Sequence, residues 1–294
     1  MEHKLENILS CQICKSKSMS KHIEAVDHNV SGLHFSISQC DNCGYKFTNP
    51  RPLEETIGNY YKSDGYVSHN STKKGIINKI YHIVRNYQFT RKHKQIEKLQ
   101  ISSGKNLLDI GCGTGDFINY MCQKGWSVDG VETDKQARLL AINNSGVSIF
   151  ESLYSKNLKR YDVITLWHVL EHIYEIKGFI NQLKKLLKKD GLIVIGVPNS
   201  ASYDANFYGG NWYAYDLPIH SSHFVKGDIK NIANLYGLKL KYIKPLIFDA
   251  YYISMLSSKK SKKSIVGGIL RGFISNIKAK KNGQYSSLTY YLFK

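Results

Sequence analysis

The chain has 294 residues, a formal net charge of +18 and 42% hydrophobic side chains, enough apolar mass for a packed core and too much for a disordered chain. That length exceeds one typical domain without reaching two large ones. No apolar run approaches the roughly 18 residues of a membrane-spanning helix. The opening MEHKLENILS holds two acids and no apolar core, so no secretory leader is expected and the expected residence is cytoplasmic.

Cysteines come first in chain order. Cys11, Cys14, Cys40 and Cys43 form two C-x2-C pairs separated by 25 residues. Two such knuckles, converging, would surround a tetrahedral zinc with four thiolates, and Gly44 supplies the second knuckle's turn residue. A reducing compartment disfavours the alternative, disulfides. Four thiolates close the coordination sphere, so the expected zinc is structural. Residues 1–50 balance five basic against five acidic side chains, and Asn49-Pro50-Arg51-Pro52 then marks a boundary stiffened by its prolines. Residues 51–100 are net +6 and mix basic residues with Tyr60, Tyr61, Tyr66, Tyr81 and Tyr87. Apolar residues at helical spacing over 76–99 predict a helix, so 51–100 reads as a helical linker or lid. Residues 101–294 would be the main domain.

The most informative stretch follows, LLDIGCGTG over residues 107–115. An apolar run ends on Asp109, and Gly111, Gly113 and Gly115 come before a helix-capable segment, 116–124. That pattern is a strand turning sharply into a helix, with glycines that permit positive φ and close ligand approach. A dinucleotide fingerprint on Gly111 and Gly113 would need glycine at 116, where Asp116 stands. The pattern instead resembles motif I of the class I methyltransferases, which bind S-adenosylmethionine (SAM) there. A second apolar run, 126–131, ends at Glu132, some twenty residues past the loop, where such folds hold ribose hydroxyls. A carboxylate can accept from both hydroxyls at once. Asp134 reads as the N-cap of a helix over 135–143.

A short strand near 147–150 and a stronger one over 161–166 come next. The segment YDVITLWHVLEHI, 161–173, again resembles the family, whose fourth strand leads into a loop bordering adenine and the reaction centre. This makes Trp167 a cofactor candidate and His168 a catalytic one, with Glu171 able to orient it and His172 structural. A helix over 176–187 is expected to stop at Asp190-Gly191, before a fifth strand over 192–197. Alternation of this kind implies a parallel sheet covered on both faces.

Residues 206–224 read NFYGGNWYAYDLPIHSSHF. With the cysteine knuckles, the NPRP turn and the Tyr-Tyr pair, this stretch resembles zinc-ribbon methyltransferases of bacterial carbohydrate and surface-polymer gene clusters. In that family a tryptophan, an acid, a proline and a histidine lead to "HF" at a helix start, matched here by Trp212, Asp216, Pro218, His220, His223 and Phe224. The family's usual arginine before the first histidine is Ile219 here. Residues 203–224 are expected to fold as a lid, with His220, then His223, then His168 as candidates for the general base. No Asn/Asp-Pro-Pro-aromatic motif follows the fourth strand, where Leu166-Trp167-His168-Val169 stands, and this disfavours methylation of base amines. Cys112 and Cys122 lie in the loop and its helix, outside any nucleophile setting.

Residues 250–294 contain nine basic side chains and no acid. An amphipathic segment over 264–277 is expected as a helix inserted (about 250–285) between a sixth strand, 238–244, and a last strand, 286–293. It suits an anionic membrane face or a phosphorylated lipid-linked glycan; a merely solvated surface is the alternative. The expected fold is α/β, a doubly wound Rossmann-like class I methyltransferase sheet with a small N-terminal zinc ribbon. The expected activity is SAM-dependent methyl transfer to a small-molecule or glycan-type acceptor, at oxygen. An enzyme acting on RNA, suggested by the positive charge, and a non-catalytic SAM-binding or zinc-ribbon interaction protein are the competing readings.

Overall fold

The computed structural model describes residues 4–27, 29–61 and 76–294, and the side chains of 76–82 are outside the description. Tyr66 and the side chain of Tyr81, singled out from the sequence, therefore lie outside the described residues.

The chain opens with β1 (Leu5–Glu6), β2 (Met19–Val26), β3 (His34–Cys40), β4 (Lys46–Thr48) and β5 (Arg51–Pro52). Strands β2, β3 and β4 form an antiparallel three-stranded sheet, and β1 pairs with β5. The knuckles repeat one geometry. Lys15 and Gly44 follow the second cysteine of each pair with φ of 64° and 76°, and their N–H groups donate to the Cys11 and Cys40 carbonyls at 3.0 and 2.8 Å. The sequence reading assigned that turn role to Gly44 alone.

Helix α1 (Ile76–Leu99) then leads into β6 (Asn106–Ile110), α2 (Asp116–Gln123), β7 (Ser127–Val131), α3 (Lys135–Ser145), β8 (Ile149–Phe150) and β9 (Tyr161–Trp167). Asp134 caps α3 by accepting from the Ala137 N–H at 2.7 Å, and Gly146 closes it in the left-handed region. Next come α4 (Ile176–Leu186), β10 (Leu187–Pro198), α5 (Tyr203–Tyr208), α6 (Lys226–Leu235) and β11 (Lys239–Pro245), and last α7 (Asp249–Lys260), α8 (Ile265–Asn282) and β12 (Ser287–Phe293). The expected Asp190-Gly191 helix stop is an interruption inside β10. Leu187 already pairs with Tyr161, and the register against β9 shifts before Leu192.

Among the described residues, seven strands make the main sheet in the order β11-β12-β10-β9-β6-β7-β8. All neighbouring pairs are parallel except those of β12, which runs antiparallel between β10 and β11. Alternating side chains serve two layers. Leu108, Ile164, Ile193 and Leu292 pack under α4 and α6, whereas Leu107, Val163, Val194 and Phe293 pack under α1, α2 and α3. Ile164 is fully buried, worth about 1.5–3 kcal/mol for such a side chain. Cys11, Cys40, Tyr45 and Phe47 join the α4/α6 layer, so the cysteine-bearing sheet rests on the main one.

Candidate active site

The carboxyl ends of β6, β7 and β9 bring together the residues picked from the sequence. After Ile110 the chain turns through Gly111, Gly113 and Gly115 at φ of 67°, 55° and 80°, a conformation costly to any residue with a Cβ. Space divides the three glycines. A Cβ on Gly111 would meet Val169 Cγ2 at 2.5 Å and one on Gly115 the Ala141 Cα at 3.0 Å, while one on Gly113 would meet nothing within 4 Å among the described residues. Gly113 is thus the face open to a ligand. Its N–H donates to Glu132 Oε2 at 2.8 Å, and the Asp134 N–H donates to Oε1 at 2.9 Å. Each carboxylate oxygen keeps a second lone pair for an incoming hydroxyl.

Beneath the loop, Asp109 is buried and accepts from the Thr165 hydroxyl at 2.6 Å. Burial pushes its pKa up to about 7, against the opposing pull of Thr165 and Lys92. Lys92 comes from α1, its ammonium 3.7 Å from the Trp167 ring centroid. Burial lowers its pKa to about 8 while Asp249 and Asp109 favour its charge. The Trp167 indole Nε1 is buried without a partner among the described residues, a donor left for a ligand. Open space over Gly113, spare acceptors on Glu132 and this free indole N–H suit a nucleoside-bearing cofactor with vicinal hydroxyls.

His168 follows β9 at φ 58°. Its Nε2 lies 3.1 Å from Asp249 Oδ2 and its Nδ1 3.3 Å from Glu171 Oε1. Partial burial opposes the charge, but the two carboxylates overcome it and raise the pKa to about 10. Burial likewise works against the Glu171 charge, and the His168 imidazolium beside it holds the carboxyl below its ordinary range. Glu171 also meets His172 and His220, one ligating atom of each lying within 4.8 Å of the others. The His172 and His220 rings stand edge to face, centroids 4.6 Å apart. Burial, then His220, pushes His172 down to about 4, and burial lowers His220 as well. Tyr61 Oη is 2.9 Å from His172 Nδ1.

His220 Nδ1 lies 2.9 Å from the Ala214 carbonyl oxygen. A carbonyl only accepts, so Nδ1 carries the proton and Nε2 the lone pair. His223 stands apart. Thr48 gives its one hydroxyl proton to the His220 carbonyl at 2.5 Å, so His223 Nε2, 3.0 Å from the same oxygen, must be the donor. Burial drives His223 well below the ordinary histidine range. The expected lid is in fact stitched down: Phe47 bridges Ser222, and the Ser221 and Ser222 N–H groups donate to the Glu171 carbonyl. Trp212 and Tyr215 are buried in it. Lys92 and Asp249 escaped the sequence reading, Tyr61 entered it only as part of the Tyr-Tyr pair, and His172, read there as structural, belongs to the cluster.

The four cysteines converge. Cys11 Sγ is 3.6 Å from Cys43 Sγ and Cys14 Sγ 3.4 Å from Cys40 Sγ, with all four sulfurs within 4.8 Å. None is in a disulfide. Tetrahedral bonds of about 2.3 Å to zinc would set the sulfurs about 3.8 Å apart, which this arrangement fits.

A sheet with one antiparallel strand, opened by a glycine loop between an acid on β6 and an acid after β7, is that of a class I SAM-dependent methyltransferase. Residues 82–242, more than half of the chain, match the model of a family described as a methyltransferase domain, and the chain belongs to that family. It is similar to the ubiquinone biosynthesis O-methyltransferases of Pelagibacter ubique (29% identical over 180 residues, 57% of this chain and 72% of that one) and Rickettsia prowazekii (26% over 205 residues, 62% and 78%). In fold it resembles magnesium protoporphyrin IX methyltransferase from Synechocystis PCC 6803, with a TM-score of 0.55 at 14% identity, covering 82% of this chain and all of that one.

Proposed function

We propose that this methyltransferase transfers the SAM methyl group to a hydroxyl of a small-molecule or glycan-type acceptor, with His220 as general base. The carrying observation is the His220 tautomer, fixed by the Ala214 carbonyl at 2.9 Å. It leaves Nε2 able to take the hydroxyl proton, and burial keeps the ring neutral and ready. Glu171, in the same cluster, then stabilises the imidazolium, as a carboxylate does beside a catalytic histidine. His168 has no free lone pair while it is charged between Asp249 and Glu171; its part is to fix Glu171. His223 Nε2 is spent on Thr48.

SAM, when bound, supplies an electrophilic methyl that needs no further activation. Asp109, Gly111, Gly113, Gly115, Glu132 and Trp167 would hold it, Glu132 at the ribose hydroxyls. The names of the Pelagibacter and Rickettsia relatives, both O-methyltransferases, support oxygen as the acceptor atom. Cys11, Cys14, Cys40 and Cys43 would hold one structural zinc. Incubation with methyl-labelled SAM and panels of sugars, phenols and amines tests the reading. It expects the label on a hydroxyl oxygen, of a sugar or a phenol, and label on amines in their place would overturn it.

A further inference from the structure

Helix α8 has two opposite faces. Gly268, Gly272, Ser275 and Ala279 are buried, and they fall on one side of the helix at i, i+4, i+7 and i+11. There α8 lies backbone to backbone on α7: a Cβ on Gly268 would come 2.7 Å from the Ser254 carbonyl oxygen, and one on Gly272 2.6 Å from that of Ala250. The opposite side carries Val266, Leu270, Phe273 and Ile277, which are 74, 58, 50 and 45% exposed. These four repeat the same spacing, so an apolar stripe of about 16 Å faces outward. Large apolar side chains so aligned are uncommon on an unpartnered surface.

The surroundings of the stripe are cationic. Lys259, Lys262 and Lys263 lie exposed ahead of its first turn, and Lys280 and Lys281 after its last. Beside it, Arg271 lies 3.6 Å over the ring of Phe207, itself 41% exposed, which extends the apolar surface onto α5. The sequence from residue 250 to 294 holds no acidic side chain. An apolar strip between two groups of lysines matches the layering of a bilayer surface, acyl chains beneath anionic headgroups. No helix among the described residues is long and apolar enough to cross a membrane. Asp249, which pairs with His168, begins the helix on which α8 rests, so this face and the candidate site share one support.

We propose that the outer face of α8 docks the enzyme on an anionic phospholipid membrane, with Leu270 and Phe273 entering the interface and Lys259, Lys262, Lys263, Lys280 and Lys281 over the headgroups. Co-sedimentation of the full chain with phosphatidylglycerol vesicles, and with phosphatidylcholine vesicles as the neutral reference, tests this. The wild-type chain is expected to sediment with the anionic vesicles and stay behind with the neutral ones. Leu270→Glu and Phe273→Glu should each weaken vesicle binding at least about tenfold while circular dichroism melting stays unchanged, since both side chains are already exposed. Should either variant fail to fold, the pair Lys280→Glu and Lys281→Glu, on the exposed last turn, reads the same loss, and added salt should mimic it. Three results would overturn the proposal: no binding to phosphatidylglycerol vesicles, binding that survives these substitutions, or sedimentation showing a wild-type dimer that Phe273→Glu splits. The last would assign the face to a second copy of the chain.

Discussion

The Thr48 hydroxyl, on the last strand of the cysteine-bearing sheet, donates to the His220 carbonyl and accepts from His223 Nε2. One side chain of the N-terminal sheet thus sets the backbone that carries the proposed base. Cys40→Ser, which removes one of four thiolates, should therefore do more than loosen residues 1–50. Turnover should fall roughly 10–10²-fold, as expected of a base displaced by about an ångström, while S-adenosylhomocysteine (SAH) affinity stays near that of the wild type. Zinc content by plasma emission, measured beside kcat on the same preparations, checks both halves.

Gly111 and Gly113 should respond differently to substitution. Gly113→Val places its side chain in open space, so its stability cost is the backbone strain of about 1–2 kcal/mol, and SAH binding should be lost. Gly111→Ala drives a methyl into Val169 and adds an overpacking cost of about 1–3 kcal/mol. Denaturant unfolding and SAH titration of the two variants should rank them in opposite orders.

His220→Gln should lower kcat by about 10²–10⁴-fold, the usual range for a lost general base, with SAH affinity little changed. The base must be unprotonated to act, and burial lowers its pKa. The acid limb of the kcat/KM profile should therefore have its midpoint below 6.5, the ordinary histidine value, and should vanish in the variant. A limb above 6.5, or near-normal turnover of His220→Gln, would count against this base.

His168 gives a pH signature in stability. Its folded pKa is raised from 6.5 to about 10, so the folded state binds the proton more tightly. The contribution is fully present below pH 6.5 and is lost as pH rises through about 10. His168→Ala should cost roughly 1 kcal/mol at pH 6, a small figure because the side chain is 40% exposed and partly screened. At pH 10.5 the gap from wild type should largely close. Urea unfolding at the two pH values measures it.

Much of this fold was legible because it is local. The glycine loop, the apolar strands and the Asp134 cap each follow from residues adjacent in sequence, and β6, β7, β9 and β12 end within a residue or so of their expected bounds. The paired cysteines announced themselves by spacing. What stayed hidden depends on contacts across long separations. Lys92 reaches Trp167 from a helix 75 residues upstream, and Asp249 pairs with His168 81 residues upstream in sequence. Neither carries a local signal. His223 ranked just behind His220 because both sit in one aromatic stretch. Thr48, 175 residues away from His223, separates their roles. The Asp190-Gly191 pair carried a sound helix-stop signal that Leu187 overrode by pairing with Tyr161.

Calorimetric titration of SAH into the wild-type chain and Glu132→Ala tests the central claim most directly, that the loop between Asp109 and Glu132 is the cofactor site. Wild-type protein should bind one SAH per chain. Loss of the carboxylate that holds the Gly113 N–H should weaken binding about 10–10²-fold, the worth of roughly 1.5–3 kcal/mol for a hydrogen bond to a charged group. Undetectable SAH binding by the wild-type chain, or equal affinity in the two proteins, would contradict the claim.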